Sequence, residues 1–410
     1  MRLVAGAFYQ RQTHLIEQDY KITDLDPALS VNGHPGTIWL TKQNRIDRDY
    51  ALFGEVAFDI NDQLTLTGGL RGFKSRNTLI GFFGFGDGYS SGTGVSQCFK
   101  DGSGNYLGPI LDGAPCTDLG DVVGNEVKPK LSRDTGVLHR LNLTYKPSDD
   151  QMFYATWSRG FRPGGINRRG GITPYKPDFL TNYELGMKLT MMDRRVRFNV
   201  ALFQERWKAF QYSFLGLNSL TEIRNAGNAR IRGLEADLNV RASPGLTLSA
   251  AATYIDAKTR TNYCTFLDPT FTCTQPGNSI SAPKGTRLPV TPKLKFNATA
   301  RYEFDAGPVK AHLQGTVVHQ GSSSSDLRVF EASLTGRQRA WTSVDLAGGV
   351  AQSHWTADLF VSNLFDKLGD LYRYAECAST TTDGQVACGG NPYIVPIQPR
   401  TIGLRVGWKY

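Results

Sequence analysis

The sequence predicts an all-β protein, an antiparallel transmembrane β-barrel, and three observations predict it. Apolar and polar residues alternate with period 2 over long stretches. The connections between these stretches switch regularly between very short and long. No run approaches the roughly 18 consecutive apolar residues a membrane helix needs. The chain has 410 residues, 40% of them hydrophobic and 11% aromatic, with 44 glycines and 17 tyrosines. Its mean hydropathy is −0.32. The absence of such a run excludes a helical membrane protein, and the low mean hydropathy still suits a barrel, whose strands show lipid only every second side chain.

The first element, Arg2 to Gln12, reads as a strand already under way. Its apolar run is too short for a secretory leader, and no small-residue cleavage signal follows. Strands near 49–60 and 63–77 follow, joined by the tight turn Asn61-Asp62. Further tight turns are Pro147–Asp150, Ser243–Gly245, Asp305–Pro308 and Gln352-Ser353. Long segments near 78–133, 160–179, 259–291, 321–339 and 364–399 separate the pairs. Several structureless loops of this length at regular intervals are hard to place in a soluble domain.

The later strands alternate cleanly. Leu234, Ala236, Leu238 and Val240 interleave with Glu235, Asp237, Asn239 and Arg241. Leu246 to Tyr254 repeats the pattern. In Lys293 to Phe304, Tyr302 and Phe304 share one face while Arg301 and Glu303 share the other. At the end, Leu404, Val406, Trp408 and Tyr410 should face lipid, with Arg405 and Lys409 pointing inward. The run Asn199–Phe203 is continuously apolar, which suggests a bulge. In all, about fourteen strands are counted, each near or above the usual 9–11 residues.

Six cysteines fall as three local pairs inside long loops: Cys98 with Cys116, Cys264 with Cys273, Cys377 with Cys388. Pairing within a loop is what an oxidising compartment allows. Each bridge would contribute roughly 3 kcal/mol in the chain-entropy account. The other reading is six unpaired thiols. Zinc is disfavoured because no Cys-x-x-Cys or Cys–His spacing occurs. All six cysteines belong at the rim opposite the tight turns.

Enzymatic chemistry finds no support. Gly88-Tyr-Ser-Ser-Gly92 matches the nucleophile-elbow pattern but sits in a Gly-rich loop, not between a strand and a helix. The histidines (His14, His34, His139, His312, His319 and His354) are scattered without metal-ligand spacing. Ser322–Ser325 reads as a flexible loop rather than a nucleophile. No phosphate loop or dinucleotide fingerprint appears. No catalytic, cofactor or metal residue is therefore assigned. The net charge of +9 would suit nucleic acid, but the basic residues alternate within strands, so no nucleic-acid partner is expected. Arg159, Arg162, Arg168 and Arg169 form the one concentrated loop patch, a candidate for an anionic ligand. Solvated charge near lipopolysaccharide is the plainer alternative.

Five segments carry a family resemblance, covering about 150 to 410. They are Tyr154–Asn167 with its Gly-Phe and Gly-Gly-x-Asn, Asn182–Lys188, Asn225–Glu235, Phe360–Asp366 with Asn-Leu-Phe-Asp, and Pro399–Leu404. In this order they resemble TonB-dependent outer-membrane receptors. That resemblance implies a single barrel domain over 1–410, with short periplasmic turns and long extracellular loops. It implies about 14 of an expected 22 strands. By the same comparison the signal peptide, plug domain and TonB box are absent, so the chain reads as a C-terminal portion or fragment. The implied setting is the bacterial outer membrane. The implied partners are outer-membrane lipid and lipopolysaccharide, the barrel-assembly machinery through the aromatic C-terminal strand, and an extracellular ligand such as a ferric siderophore. The TonB complex would be a partner only through an upstream plug and box. A passive porin-like channel is the runner-up, and an outer-membrane hydrolase or adhesin comes third.

Overall fold

The computed structural model describes residues 1–89, 92–169, 172–215, 220–374 and 392–408. Fourteen strands form one sheet in which every strand pairs with its sequence neighbours. They are β1 (Arg2–Lys21), β2 (Thr37–Asp59), β3 (Leu64–Phe85), β4 (Lys130–Ser148), β5 (Gln151–Arg162), β6 (Asp178–Met191) and β7 (Val196–Lys208). They continue as β8 (Ala229–Arg241), β9 (Leu246–Thr259), β10 (Leu294–Ala306), β11 (Val309–Gln320), β12 (Trp341–Gln352), β13 (Trp355–Ser362) and β14 (Thr401–Trp408). All thirteen ladders are antiparallel. Among the described residues no ladder joins β1 to β14.

Connections of two to four residues at 60–63, 149–150, 192–195, 242–245, 307–308 and 353–354 lie at one rim. Segments of fifteen residues or more lie at the other. The Asn61 turn and Cys98 therefore sit at opposite ends of β3, as the alternation of connections predicts. The first three strands run longer than expected. The polar stretches 13–21 and 37–48 are paired ladder rather than loop, because their backbone groups find partners whatever the side chains.

The two faces separate by charge. Leu404, Val406 and Trp408 point outward at 69%, 67% and 64% exposure. Arg405 lies on the opposite face, its guanidinium 5.7 Å from the Phe360 ring centre. Lys409 and Tyr410 fall outside the described residues. Inside, polar groups satisfy each other across strands. Arg140 meets Glu55 at 3.3 Å, Asn199 donates to Asp237 at 2.9 Å, and Tyr154 donates to Glu184 at 2.7 Å. The outer face needs no such pairing, because lipid accepts Leu52, Leu70, Leu185 and Leu359, all more than half exposed.

The bulge expected at Asn199–Phe203 is absent. β7 pairs with β6 and β8 without a register shift. The inward apolar residue has a packing role there: Phe203 lies directly opposite Gly233, and a Cβ on that glycine would stand 2.3 Å from its ring. The same arrangement recurs where Tyr154 covers Gly186, Phe360 covers Gly403, Phe53 covers Gly6 and Phe73 covers Gly136. An aromatic ring folded over a cross-strand glycine restores the packing the glycine lacks. It also explains why glycine stands in the Asn182–Lys188 and Pro399–Leu404 motifs.

Buried apolar residues collect at the loop rim. One cluster joins Val31, Leu40, Phe82 and Val95 around Cys98 and Cys116. Those cysteines are disulfide-bonded across 18 residues, and Cys264 is bonded to Cys273 across nine. Cys377 and Cys388 lie outside the described residues, as do Ser90 and Ser91 of the Gly88–Gly92 motif. Ser322–Ser325 is not a flexible loop. Ser323–Ser324 pairs as a short strand with Arg337–Gln338, on either side of the helix α1 (Val329–Thr335). The Ser325 hydroxyl is fixed by donors from Gln338 and the Arg373 backbone. Serine suits this place because its small hydroxyl can satisfy two loops at once.

Candidate functional site

The loop rim carries a connected polar and aromatic cluster above β5 to β14. Its centre is a hairpin of Gln211–Leu215 and Thr221–Asn225. Asn167 grips this hairpin as a backbone would. Its amide donates to the Ile223 carbonyl at 2.9 Å and accepts from the Ile223 N–H at 2.8 Å. Asn225 does the same to Lys176, accepting from its N–H at 2.8 Å and donating to its carbonyl at 2.9 Å. These two asparagines end the Gly-Gly-x-Asn segment and open the Asn225–Glu235 segment. Their side chains replace strand pairing where the loops diverge.

Charge is then matched inward from the rim. Glu222, 2% exposed, receives Arg169 at 3.1 Å and Arg224 at 2.6 Å. The Phe214 ring lies between Arg224 and Arg328, whose guanidinium carbons stand 5.2 and 4.7 Å from its centre. Arg328 continues to Asp326 at 2.8 Å and Glu331 at 2.9 Å. Asp326 accepts from the Tyr212 hydroxyl at 2.6 Å, and that oxygen accepts from the Leu327 N–H. Burial and the adjacent Asp326 carboxylate push the Tyr212 hydroxyl far up, so it stays a donor. Burial also lifts Glu331, with Arg328 opposing. Tyr212, Phe214, Arg328, Glu331, Tyr372 and Tyr374 line a cleft of about 320 Å³. Tyr372, Tyr374 and Tyr393 stack in succession with ring centres 6.3 and 5.3 Å apart.

The four arginines singled out in the sequence have different fates. Arg162 pairs with Asp178 through Nε at 3.0 Å and donates to the Gln211 carbonyl at 3.1 Å, so it ties loops together. Arg169 is committed to Glu222. Arg159 sits on β5, its guanidinium 4.2 Å over Phe179. Arg168 is exposed and has no ion-pair partner among the described residues. Sequence reasoning missed Tyr212, Phe214, Glu222, Asp326, Arg328, Tyr372 and Tyr374. The available signal was the alternation Tyr212-x-Phe214 and Tyr372-x-Tyr374, which marks hairpins inside loops.

A second loop structure encloses a buried carboxyl. Asp118 is buried in segment 86–129 and accepts from the N–H groups of Phe83 and Gly94 at 2.9 Å each. Desolvation dominates those bonds and lifts its carboxyl to about 7. The folded loop thus holds a proton between about pH 4 and 7 that the unfolded loop has lost, so its stability falls as pH rises through that window. Hydrogen exchange over 93–119, corrected for intrinsic rate, should show more protection at pH 5 than at pH 8. Equal protection, or loss of the difference's sign, would refute the assignment, and Asp118→Asn should flatten the profile.

Comparison with known proteins supplies the context. The family described as "TonB dependent receptor-like, beta-barrel" matches residues 2–364. The metal-pseudopaline receptor CntO of Pseudomonas aeruginosa is 25% identical over 280 residues, 66% of this chain and 33% of that protein. The ferric yersiniabactin uptake receptor FyuA from Yersinia pestis superposes with a TM-score of 0.67 at 18% identity, over 100% of this chain and 51% of FyuA. The ferric-catecholate import receptor Fiu of E. coli K12, in its closed form, gives 0.61 at 17% identity, over 98% of this chain and 51% of Fiu. The chain thus spans about a third of the curated relative and about half of the solved receptors.

Proposed function

The chain belongs to the TonB-dependent receptor β-barrel family of the outer membrane, and on that premise we propose that it forms the ligand-gathering part of a receptor importing a metal chelate, foremost a ferric siderophore. The observation that carries this is the tyrosine-rich cleft at the loop rim, bounded by Arg328 and Glu331. Flat aromatic surfaces and fixed charges suit a rigid, polar chelate too large for diffusion through a pore. The named ligands of CntO, FyuA and Fiu are chelates of the same kind. Energy would come from the TonB complex acting on a plug domain.

The test uses the full-length protein in an iron-limited host lacking its own chelate receptors. Radiolabelled ferric siderophores should accumulate only with the protein and only with functional TonB. Tyr372→Ala with Tyr374→Ala should raise the half-saturation concentration about tenfold or more, matching the roughly 1–3 kcal/mol of a truncated aromatic anchor. Uptake that persists without TonB would favour the passive-channel reading.

A further inference from the structure

The outer face of the first four strands carries a row that neither the lumen nor the loop cluster uses. Arg11 pairs in register with Arg48, Arg48 with Arg76, and Arg76 with Arg133. Four guanidinium groups therefore stand side by side on one face of neighbouring strands. Like charges directly opposite one another in a sheet repel. The row above, Thr13, Ile46, Thr78 and Leu131, supplies no carboxylate. The row below, Tyr9, Tyr50, Lys74 and Thr135, adds another cation. Among the described residues none of the four arginines has an ion-pair partner, whereas inward basic residues such as Arg45 and Arg140 do.

Depth says what meets this row. Rising from the Asn61 turn, the outward residues of β2 are Phe58, Val56, Gly54, Leu52, Tyr50 and then Arg48. Leu52 is 71% exposed, and Tyr9 and Tyr50 pack together with ring centres 5.0 Å apart. An apolar band capped by tyrosines marks the lipid boundary. Arg48 stands about a dozen residues above the turn. At about 3.3 Å per residue and a tilt near 40° that is roughly 30 Å, just beyond an apolar band about 25 Å tall. The arginines thus lie at the headgroup level of the outer leaflet.

We propose that Arg11, Arg48, Arg76 and Arg133 form a binding site for the phosphate groups of an acylated, phosphorylated glycolipid of the outer leaflet, lipopolysaccharide being that class. Guanidinium forks bind phosphate bidentately, and a row of them spaced about 5 Å apart matches a headgroup bearing more than one phosphate. The acyl chains would lie against Leu52, Leu70 and Val137 below.

The experiment takes full-length protein purified from outer membranes in mild detergent, stripped of lipid, and titrated with bis-phosphorylated or dephosphorylated lipid A while bound lipid is counted by native mass spectrometry. The phosphorylated form should bind at least tenfold more tightly, with affinity falling as salt rises. Arg48→Gln with Arg76→Gln should remove that preference, and Arg48→Lys with Arg76→Lys should retain part of it. Should the glutamine variant not fold, competition on the native protein decides: inorganic phosphate at millimolar concentration should displace the lipid only weakly. Equal binding of the two lipids, an unchanged preference in the glutamine variant, or displacement by phosphate as effective as by lipid would each overturn the assignment.

Discussion

Refolded in detergent by itself, the 410-residue chain is expected to give no heat-modifiable barrel with steady single-channel conductance. The reason lies at the two edges of the sheet. β1 offers twenty residues to β2 on one side. Its other edge, like the free edge of β14, has no ladder among the described residues. Backbone N–H and C=O groups left open in hydrocarbon cost several kcal/mol each, and lipid offers them nothing. Direct closure of fourteen strands would need a tighter curvature and a new shear. The inward rings that cover Gly6, Gly136, Gly186, Gly233 and Gly403 would then be crowded. The deciding measurement is electrophoretic mobility before and after boiling, alongside conductance in planar bilayers. A stable pore from this chain alone would replace the receptor reading with a porin-like one.

Glu222→Ala is expected to loosen the loop rim by about 3–5 kcal/mol, the usual consequence of removing one partner from a buried ion pair. Its carboxylate is the only group among the described residues that draws Arg169 and Arg224 together. Without it two guanidiniums remain in a partly buried site. Arg224 would also lose its position beside Phe214, a ring that lines the cleft. Hydrogen exchange should accelerate over 211–215, 221–225 and 163–169, while β8 to β13 stay protected. Ligand affinity should fall with the loops, and Glu222→Asp should recover part of both effects. Unchanged exchange in 221–225 would show that Asn167 and Asn225 hold the hairpin without the charge. These two side chains, each bonded twice to backbone, are the competing support, so Asn167→Ala in the Glu222→Ala background separates the contributions.

The sequence by itself determined the barrel. Alternation over Lys293–Phe304 and Thr401–Trp408 names the lipid face and the lumen face, because a one-residue slip would put Arg301 or Arg405 into lipid. Tight turns such as Asn61-Asp62 set which ends of the strands share a rim. Local spacing brought Cys98 to Cys116 and Cys264 to Cys273, because cysteines separated by nine or eighteen positions in one loop can meet without help from the rest of the chain. The family motifs were legible for the same local reason. Only the tertiary structure decided the rest. Glu222 meets Arg169 across 53 positions, and Tyr212 meets Asp326 across 114. Loops have no periodicity that announces such meetings, since their side chains answer to whichever loop the barrel places alongside. The arginine row is the sharpest case. Arg11, Arg48, Arg76 and Arg133 are ordinary surface residues in the sequence. Strand register alone sets them side by side, and register belongs to the ladder, not to any one strand.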